Sequence, residues 1–293
     1  MSGKRRIVIL THADQPFGQD YYLARIVAWH WQAQGHEILV HHGLDDPPDG
    51  DLAILHVDTT VLPPAYLALA RRYPRHINAA SDSIAKRAIS SNLVRQEDDY
   101  GGAVIVKTDA NHRGFKELEL YRRRVKRSLN PITHLVWRYR RAIWKRHSLP
   151  DRSYPIYQHK DLVPAWMWRD RRFVVEAFRP EFDGELYYVN SWYFLGDRGV
   201  HLRYGDTERV SERLDEEGIE LLEPNVPAEL WAARRRLGLS FGKMDFVINE
   251  GECVLLDVSR TPASGRSRDK PKRRQICAEL AAGLDSLFAP ERA

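Results

Sequence analysis

A chain of 293 residues with 43% hydrophobic content is long enough for two or three lobes around a shared cleft and too apolar for disorder. Its two cysteines, Cys253 and Cys277, sit in no metal-ligand or redox spacing, which points to a reducing cytoplasm rather than a disulfide scaffold or a zinc module. The net charge of +5 is unevenly spread: residues 113–152 carry thirteen Lys/Arg against three acids, so the rest of the chain is mildly acidic. No apolar run reaches the roughly 18 residues of a spanning helix, and the short apolar stretch behind the basic opening is not expected to act as a secretory leader.

The first eighty residues alternate in the α/β manner. RIVILTH at 6–12 predicts a strand. Residues 19–34 carry Tyr22, Leu23, Ile26, Val27 and Trp31 at helical spacing, ended by Gly35. Strands at 37–42 and 52–57, a helix at 64–72 and a short strand at 77–80 complete a small parallel sheet. A helix capped by Ser81 or Asp82 is expected to run through Ser91, followed by a strand at 103–108. Two helices, 116–129 and 132–147, are split at Asn130-Pro131. Strands follow at 172–178, 186–195 and 200–204, the last two joined by the turn Gly196-Asp197, and then an acidic loop at 206–224. A helix at 228–237, strands at 241–248 and 253–258 about the turn NEGE, and a closing helix at 272–288 end the pattern.

The densest chemistry lies in residues 242–262, GKMDFVINEGECVLLDVSRTP. Two apolar strands about a tight turn each carry one carboxylate, Asp245 and Asp257. Antiparallel pairing is expected to bring both onto one face, where like charges are unfavourable without a cation between them. Hard oxygens on rigid strands suit Mg²⁺, which completes its shell with water and phosphate. Read alone, the two aspartates are equally well strand-end carboxylates satisfied by backbone or Lys/Arg.

GKMDF, a turn, then LDVSRTP resembles the metal-binding hairpin of the ATP-grasp superfamily, whose members include D-alanine–D-alanine ligase, glutathione synthetase and the glutamate ligases that modify ribosomal proteins. The resemblance implies an α/β and α+β chain with the ATP-grasp fold. Its parts would be a Rossmann-like N-terminal domain (1–80), a central lobe (81–171) with a basic helical insertion at about 116–147, and a C-terminal lobe (172–293) bearing the hairpin. It implies ATP and Mg²⁺ as cofactors. Asp245 and Asp257 match the two metal-binding acids, and Ser259 stands where the family has asparagine. Lys243 matches a basic residue that stabilises the tetrahedral intermediate. Other segments agree in type and order. Lys107 in AVIVKT matches the lysine on the α- and β-phosphates, and Lys86 an earlier nucleotide lysine. Gly114 is the glycine retained in the phosphate-covering loop TDANHRGF. Glu176 and Phe178 of FVVEAF match the hinge that meets adenine, Asp183 (or Glu181) would reach the ribose, and Arg203 the γ-phosphate.

The implied activity is an ATP-dependent ligase that turns a carboxylate into an acyl phosphate and couples it to an amine or similar nucleophile. The alternative is a catalytically degenerate nucleotide-binding regulator or partner-binding protein, which Ser259, Ala263 and the glycine-poor loop favour. The substrate is expected to be a small-molecule or peptide carboxylate. Two H-x-D pairs, His12/Asp14 and His56/Asp58, end the first and third strands. There they would be loop caps, a polar substrate site or a metal site. The basic segment interleaves Arg with Tyr121, Trp137, Tyr139 and Trp144, a mixture that can bind nucleic acid or phosphate-rich partners. Leu118, Tyr121, Val125, Leu135, Tyr139 and Ile143 are expected to form a packing stripe. That stripe favours a solvated face over nucleic-acid binding. With the ATP-grasp resemblance, the segment is expected to be an inserted lid able to dock an acidic peptide, carrier protein or polyphosphorylated substrate.

Overall fold

The apolar run RIVILTH forms a strand buried on both sides. In the computed structural model, residues 3–289 are described apart from 16, 18–21, 147, 148, 150–153, 210–218, 224 and 264–270, and apart from the side chains of 140, 143–146 and 271–273. Strand β1 (Arg6–Thr11) pairs in parallel with β2 (Glu37–His42) and β3 (Leu52–Leu55), and β3 with β4 (His76–Ile77), giving the order β2-β1-β3-β4. Ile7 and Ile9 face α1 (Leu23–Ala33), whereas Val8 and Leu10 face α2 (Pro64–Ala70). Helices on both faces explain why β1 is apolar throughout instead of alternating. The sequence starts α1 four residues earlier. Residues 19–21 lie outside the described residues, and Tyr22 is pinned instead as an isolated bridge to Ala263, with Leu23 N donating to Pro262 O at 2.9 Å.

A second, three-stranded antiparallel sheet has the order β6-β5-β7, with β5 (Val104–Thr108), β6 (Ile156–Tyr157) and β7 (Phe173–Ala177). Before it, the helix expected through Ser91 is reduced to one turn, α3 (Lys86–Ile89). Residues 82–84 are drawn into extended pairing: Leu62 N donates to Asp82 O, Ser83 bridges Val61, and Ile84 N donates to Thr60 O. Between β5 and β6 run α4 (Phe115–Arg127) and α5 (Pro131–Arg146). Asn130 accepts the Ile132 N–H at 2.9 Å and Pro131 opens the helix, which is why the segment splits there. The expected packing stripe on α5 is not formed: Leu135 and Tyr139 are exposed, and the Ile143 side chain lies outside the described residues. Helix α6 (Ala165–Arg169) covers β7.

The third sheet is antiparallel, β11-β10-β9-β12-β13, with β8 (Glu181–Phe182) on β9. Its strands are β9 (Tyr187–Leu195), β10 (Arg198–Asp206), β11 (Ile219–Leu222), β12 (Phe241–Asn249) and β13 (Glu252–Ser259). Strand β11 lies inside the stretch expected to be an acidic loop. It pairs with β10 over Ile219 to Leu222, and residues 210–218 lie outside the described residues. One sheet face, with Tyr193, Leu195, Leu202 and Phe241, shares a core with α1 and α8 (Pro271–Ala281). The other, with Trp192, Phe194, Met244 and Phe246, is covered by α7 (Ala228–Arg236). The closing helix is not continuous. After α8 the chain tightens into a 3-10 turn over Ala282–Leu287, because Gly283 lies against the sheet so closely that a Cβ there would sit 2.1 Å from the Leu195 carbonyl oxygen.

Candidate functional site

The hairpin of β12 and β13 does not pair regularly. From the turn outward Asn249 faces Glu252 and Phe246 faces Leu255, but Asp245 then faces Asp257. Leu256 is therefore the extra residue of a β-bulge. Regular pairing would put Asp257 opposite Met244, on the other sheet face from Asp245. The bulge is what brings the two carboxylates onto one face, a known use of bulges beside sites.

Lysines neutralise the acids of this face and its neighbours. Lys86, 4% exposed, donates from Nζ to Asp257 Oδ1. Lys243 Nζ lies 2.7 Å from Asp245 Oδ2, and Ser191 of β9 donates its hydroxyl to Asp245 Oδ1. Across the second sheet Lys107 Nζ pairs with Glu176 Oε2 at 2.7 Å, both buried. Glu176 also bears electrostatically on Lys86, and Lys243 and His112 on Asp257, so these pairs form one connected field. Burial disfavours the Asp257 charge, yet the Lys86 ammonium and its hydrogen bond outweigh that and hold the carboxyl below its ordinary value. Lys86 and Lys243 are likewise raised, burial being outweighed by Asp257 and Asp245 respectively.

Two buried acceptors in this field have no hydrogen-bond partner among the described residues: Ser259 Oγ, beside Lys243 in the pairing register, and Glu176 Oε1. The same residues include no cluster of three or more His, Cys, Asp or Glu placed to hold a metal. Two opposed carboxylates and an unpartnered hydroxyl nevertheless fit Mg²⁺, which keeps waters and takes further oxygens from phosphates.

The loop after β5 is strained. His112 (φ 44°), Arg113 (φ 57°) and Gly114 (φ 74°) are consecutive left-handed residues, inexpensive only for the glycine, which opens α4. Lys86 N donates to Asp109 O at 2.9 Å, tying the start of α3 to this loop.

Other expected site residues are engaged elsewhere. Phe178 N donates to Ala103 O at 2.8 Å. Asp183 closes a turn, accepting the Leu186 and Glu185 N–H groups at 2.9 Å and the Tyr188 hydroxyl at 2.7 Å; these bonds pull its carboxyl down to about 2. Arg203 pairs with Glu181 at 2.7 Å and stacks on Tyr188. It sits opposite Asn190, out of phase with the Ser191–Asp245 pair, and so stands on the other sheet face from Asp245. Ser191, His112 and Tyr154, which bears electrostatically on Lys86 and Asp257 and lies under the Arg113 guanidinium, were not singled out from the sequence. Ser191 was legible as the one small polar residue on its phase of an aromatic strand.

The H-x-D pairs lie at the carboxyl ends of β1 and β3, beneath α4. Asp58 accepts the Tyr22 and Thr261 hydroxyls at 2.8 Å each and lies 3.5 Å from Lys116; Asp14 lies 2.9 Å from Arg127; Thr60 N donates to Glu117 at 2.6 Å. Helix α4 is thus latched across this edge. His56 is a core residue, fully buried against Phe17 and Tyr22. Burial pushes its imidazole down to about 4 from 6.5. The unfolded chain therefore binds the extra proton between those values. His56 contributes stability fully above 6.5 that is lost as pH falls through the window, about 3 kcal/mol in all. Urea unfolding at neutral pH and at about pH 4.5 is expected to show this slope, and His56→Gln is expected to flatten it.

No family model matches this chain, and no curated protein matches it. Solved structures do. The chain is similar to an ATP-grasp RimK domain protein from Sphaerobacter thermophilus, with 14% identity over 97% of this chain and 100% of that one and a TM-score of 0.49. It is similar to D-alanine–D-alanine ligase from Bacillus anthracis, at 12% identity over 98% and 96% of the two chains and a TM-score of 0.43. A third is the ATP-grasp ligase PsnB complexed with minimal precursor, Mg and ADP, at 13% identity over 96% and 97% with a TM-score of 0.48. The first and third are ATP-grasp proteins, the superfamily that the hairpin at 242–262 resembles.

Proposed function

We propose that this chain is an ATP-grasp ligase that uses Mg-ATP to activate a carboxylate as an acyl phosphate and couples it to an amine or similar nucleophile, in the cytoplasm. The observation that carries this reading is the bulged hairpin: two carboxylates face to face, each held by a lysine, beside a third buried lysine–glutamate pair. Asp245, Asp257 and Ser259 would hold Mg²⁺, with Lys86 and Lys107 toward the phosphates and the loop ending at Gly114 over them. Glu176 and Phe178 would meet the adenine and Asp183 the ribose. Bound Mg-ATP supplies the phosphoryl group that makes a carboxylate oxygen a leaving group. The protein's part is fixed positive charge where negative charge develops, from Lys243. Arg203, expected on the γ-phosphate, stands mid-strand on the other sheet face, paired with Glu181, and is not given that role.

In the free protein the lysines serve as counter-ions to the carboxylates. A cation entering without nucleotide must displace Lys86 from Asp257. Lys86→Met is therefore expected to weaken Mg-ATP binding by about 2 kcal/mol while strengthening binding of Mg²⁺ alone. Calorimetry with metal alone and with metal plus nucleotide separates the two effects. The reaction class is tested by phosphate release from ATP across pooled amino acids, peptides and small acids, with and without Mg²⁺. Release that needs Mg²⁺ and an added acid supports the ligase; Mg-ATP binding with no release under any pool leaves a nucleotide-binding protein instead.

A further inference from the structure

Helix α5 presents an apolar face that no described residue covers. Ile132, Leu135, Val136 and Tyr139 follow the spacing i, i+3, i+4, i+7 and are 67%, 64%, 38% and 67% exposed, and Leu129, one turn before, is fully exposed. The helix packs on α4 through Trp137, whose ring lies 5.8 Å from that of Tyr121. The stripe from Ile132 to Tyr139 is about 10 Å long, the reach of one helix-on-helix contact. Exposed single apolar residues need no explanation, but a contiguous helical stripe marks an interaction surface.

The charge around the stripe restricts the occupant. Residues 121–150 contain ten Lys/Arg and no Asp or Glu, and Arg138 is exposed one helical turn on from Leu135, at the flank of the stripe. A second copy docking through the same face would set these like charges against each other. An anionic membrane surface would be matched in charge, but interfacial helices turn tryptophan outward to the headgroups, and Trp137, the α5 tryptophan whose side chain is described, is turned inward onto α4. Apolar side chains at helical spacing, set in a segment whose charges are all positive and edged by Arg138, match an acidic amphipathic helix, which lays its apolar face on the stripe and its carboxylates toward that basic segment.

We infer that the outward face of α5 docks an acidic amphipathic helix of another protein. Its place follows from the latch of α4. Lys116 on Asp58 and Arg127 on Asp14 fix α4 to the edge of the first sheet, so a partner held on α5 is carried by the helix pair that covers the carboxyl ends of β1 and β3. The inference does not depend on the nucleotide reading, because it uses neither the hairpin nor the lysine pairs.

The probe is a labelled, Glu-rich peptide of about five helical turns with Leu at i, i+3, i+4 and i+7, titrated against the full chain by fluorescence anisotropy. Saturable binding is expected, weakening from low to physiological salt as the arginines are screened. Leu135→Glu with Tyr139→Glu is expected to weaken it about tenfold or more, and Arg138→Glu severalfold, with unchanged melting temperature. A scrambled peptide of the same composition is expected to bind much less. No binding, equal binding of the scrambled peptide, or tighter stripe-dependent binding to phosphatidylglycerol vesicles or duplex DNA than to the peptide would overturn the inference.

Discussion

Lys107→Ala is expected to lower the folding free energy by about 3 kcal/mol or more, because it leaves the Glu176 carboxylate buried without its cation. The two groups lie 2.7 Å apart, at 9% and 3% side-chain exposure, on adjacent strands of the second sheet. A buried ion pair contributes little over an apolar pair of the same shape, but breaking one half of it is costly. Lys107→Met combined with Glu176→Gln is therefore expected to recover most of the loss. On the proposed function, the repaired variant still binds Mg-ATP poorly, and more poorly than Glu176→Gln alone, since the phosphate contact is lost in addition to any change at the adenine. Chemical unfolding of these proteins together with nucleotide calorimetry separates a structural lysine from a ligand-binding one. A repaired variant that binds nucleotide as well as wild type would remove Lys107 from the site.

Asp257→Asn is expected to reduce kcat/KM by the equivalent of about 3 kcal/mol, roughly a hundredfold or more, comparable with removing a preorganised electrostatic group. The substitution keeps the shape of the side chain and removes the charge that Lys86 balances in the free protein. Ser259→Ala should cost distinctly less. Its hydroxyl is buried and unpartnered among the described residues, so it offers one weak oxygen where the carboxylates offer charged ones. Ser259→Asn supplies a longer carbonyl oxygen and is expected to be tolerated or to raise Mg²⁺ affinity. Mg²⁺ titrations of turnover across the three variants give the ranking. Ser259→Ala falling as far as Asp257→Asn would contradict it.

Much of the fold was legible because local pattern and tertiary role agree. The unbroken apolar run of β1 reflects helices on both faces, and the break at Asn130-Pro131 reflects a side-chain cap with proline at the first helical turn. The misreadings have long-range causes. The single turn of α3 follows from residues 82–84 pairing with Thr60, Val61 and Leu62, a partner about twenty residues away that no local propensity reports. Strand β11 hides in an acidic stretch because only its pairing with β10 makes it a strand. The stripe on α5 has the period of a buried face, and period alone does not say whether the partner belongs to the same chain. At the site, the facing of Asp245 and Asp257 was expected from simple pairing about the turn. The structure reaches the same facing by a bulge at Leu256, without which the count from Asn249 would set them on opposite faces. From the sequence His56 stood as a loop cap, with a polar substrate site or a metal site as the alternatives. Its burial against two aromatic rings is a property of the assembled core.

Equilibrium binding of ATP, measured with and without Mg²⁺ on wild type and on the Asp245→Asn, Asp257→Asn double variant, tests the central proposal most directly. Wild type is expected to bind ATP at least about tenfold more tightly with Mg²⁺ than without, and the double variant is expected to lose that difference while keeping its fold. No ATP binding by wild type, or the same Mg²⁺ effect in both proteins, would contradict a metal-nucleotide site on this hairpin.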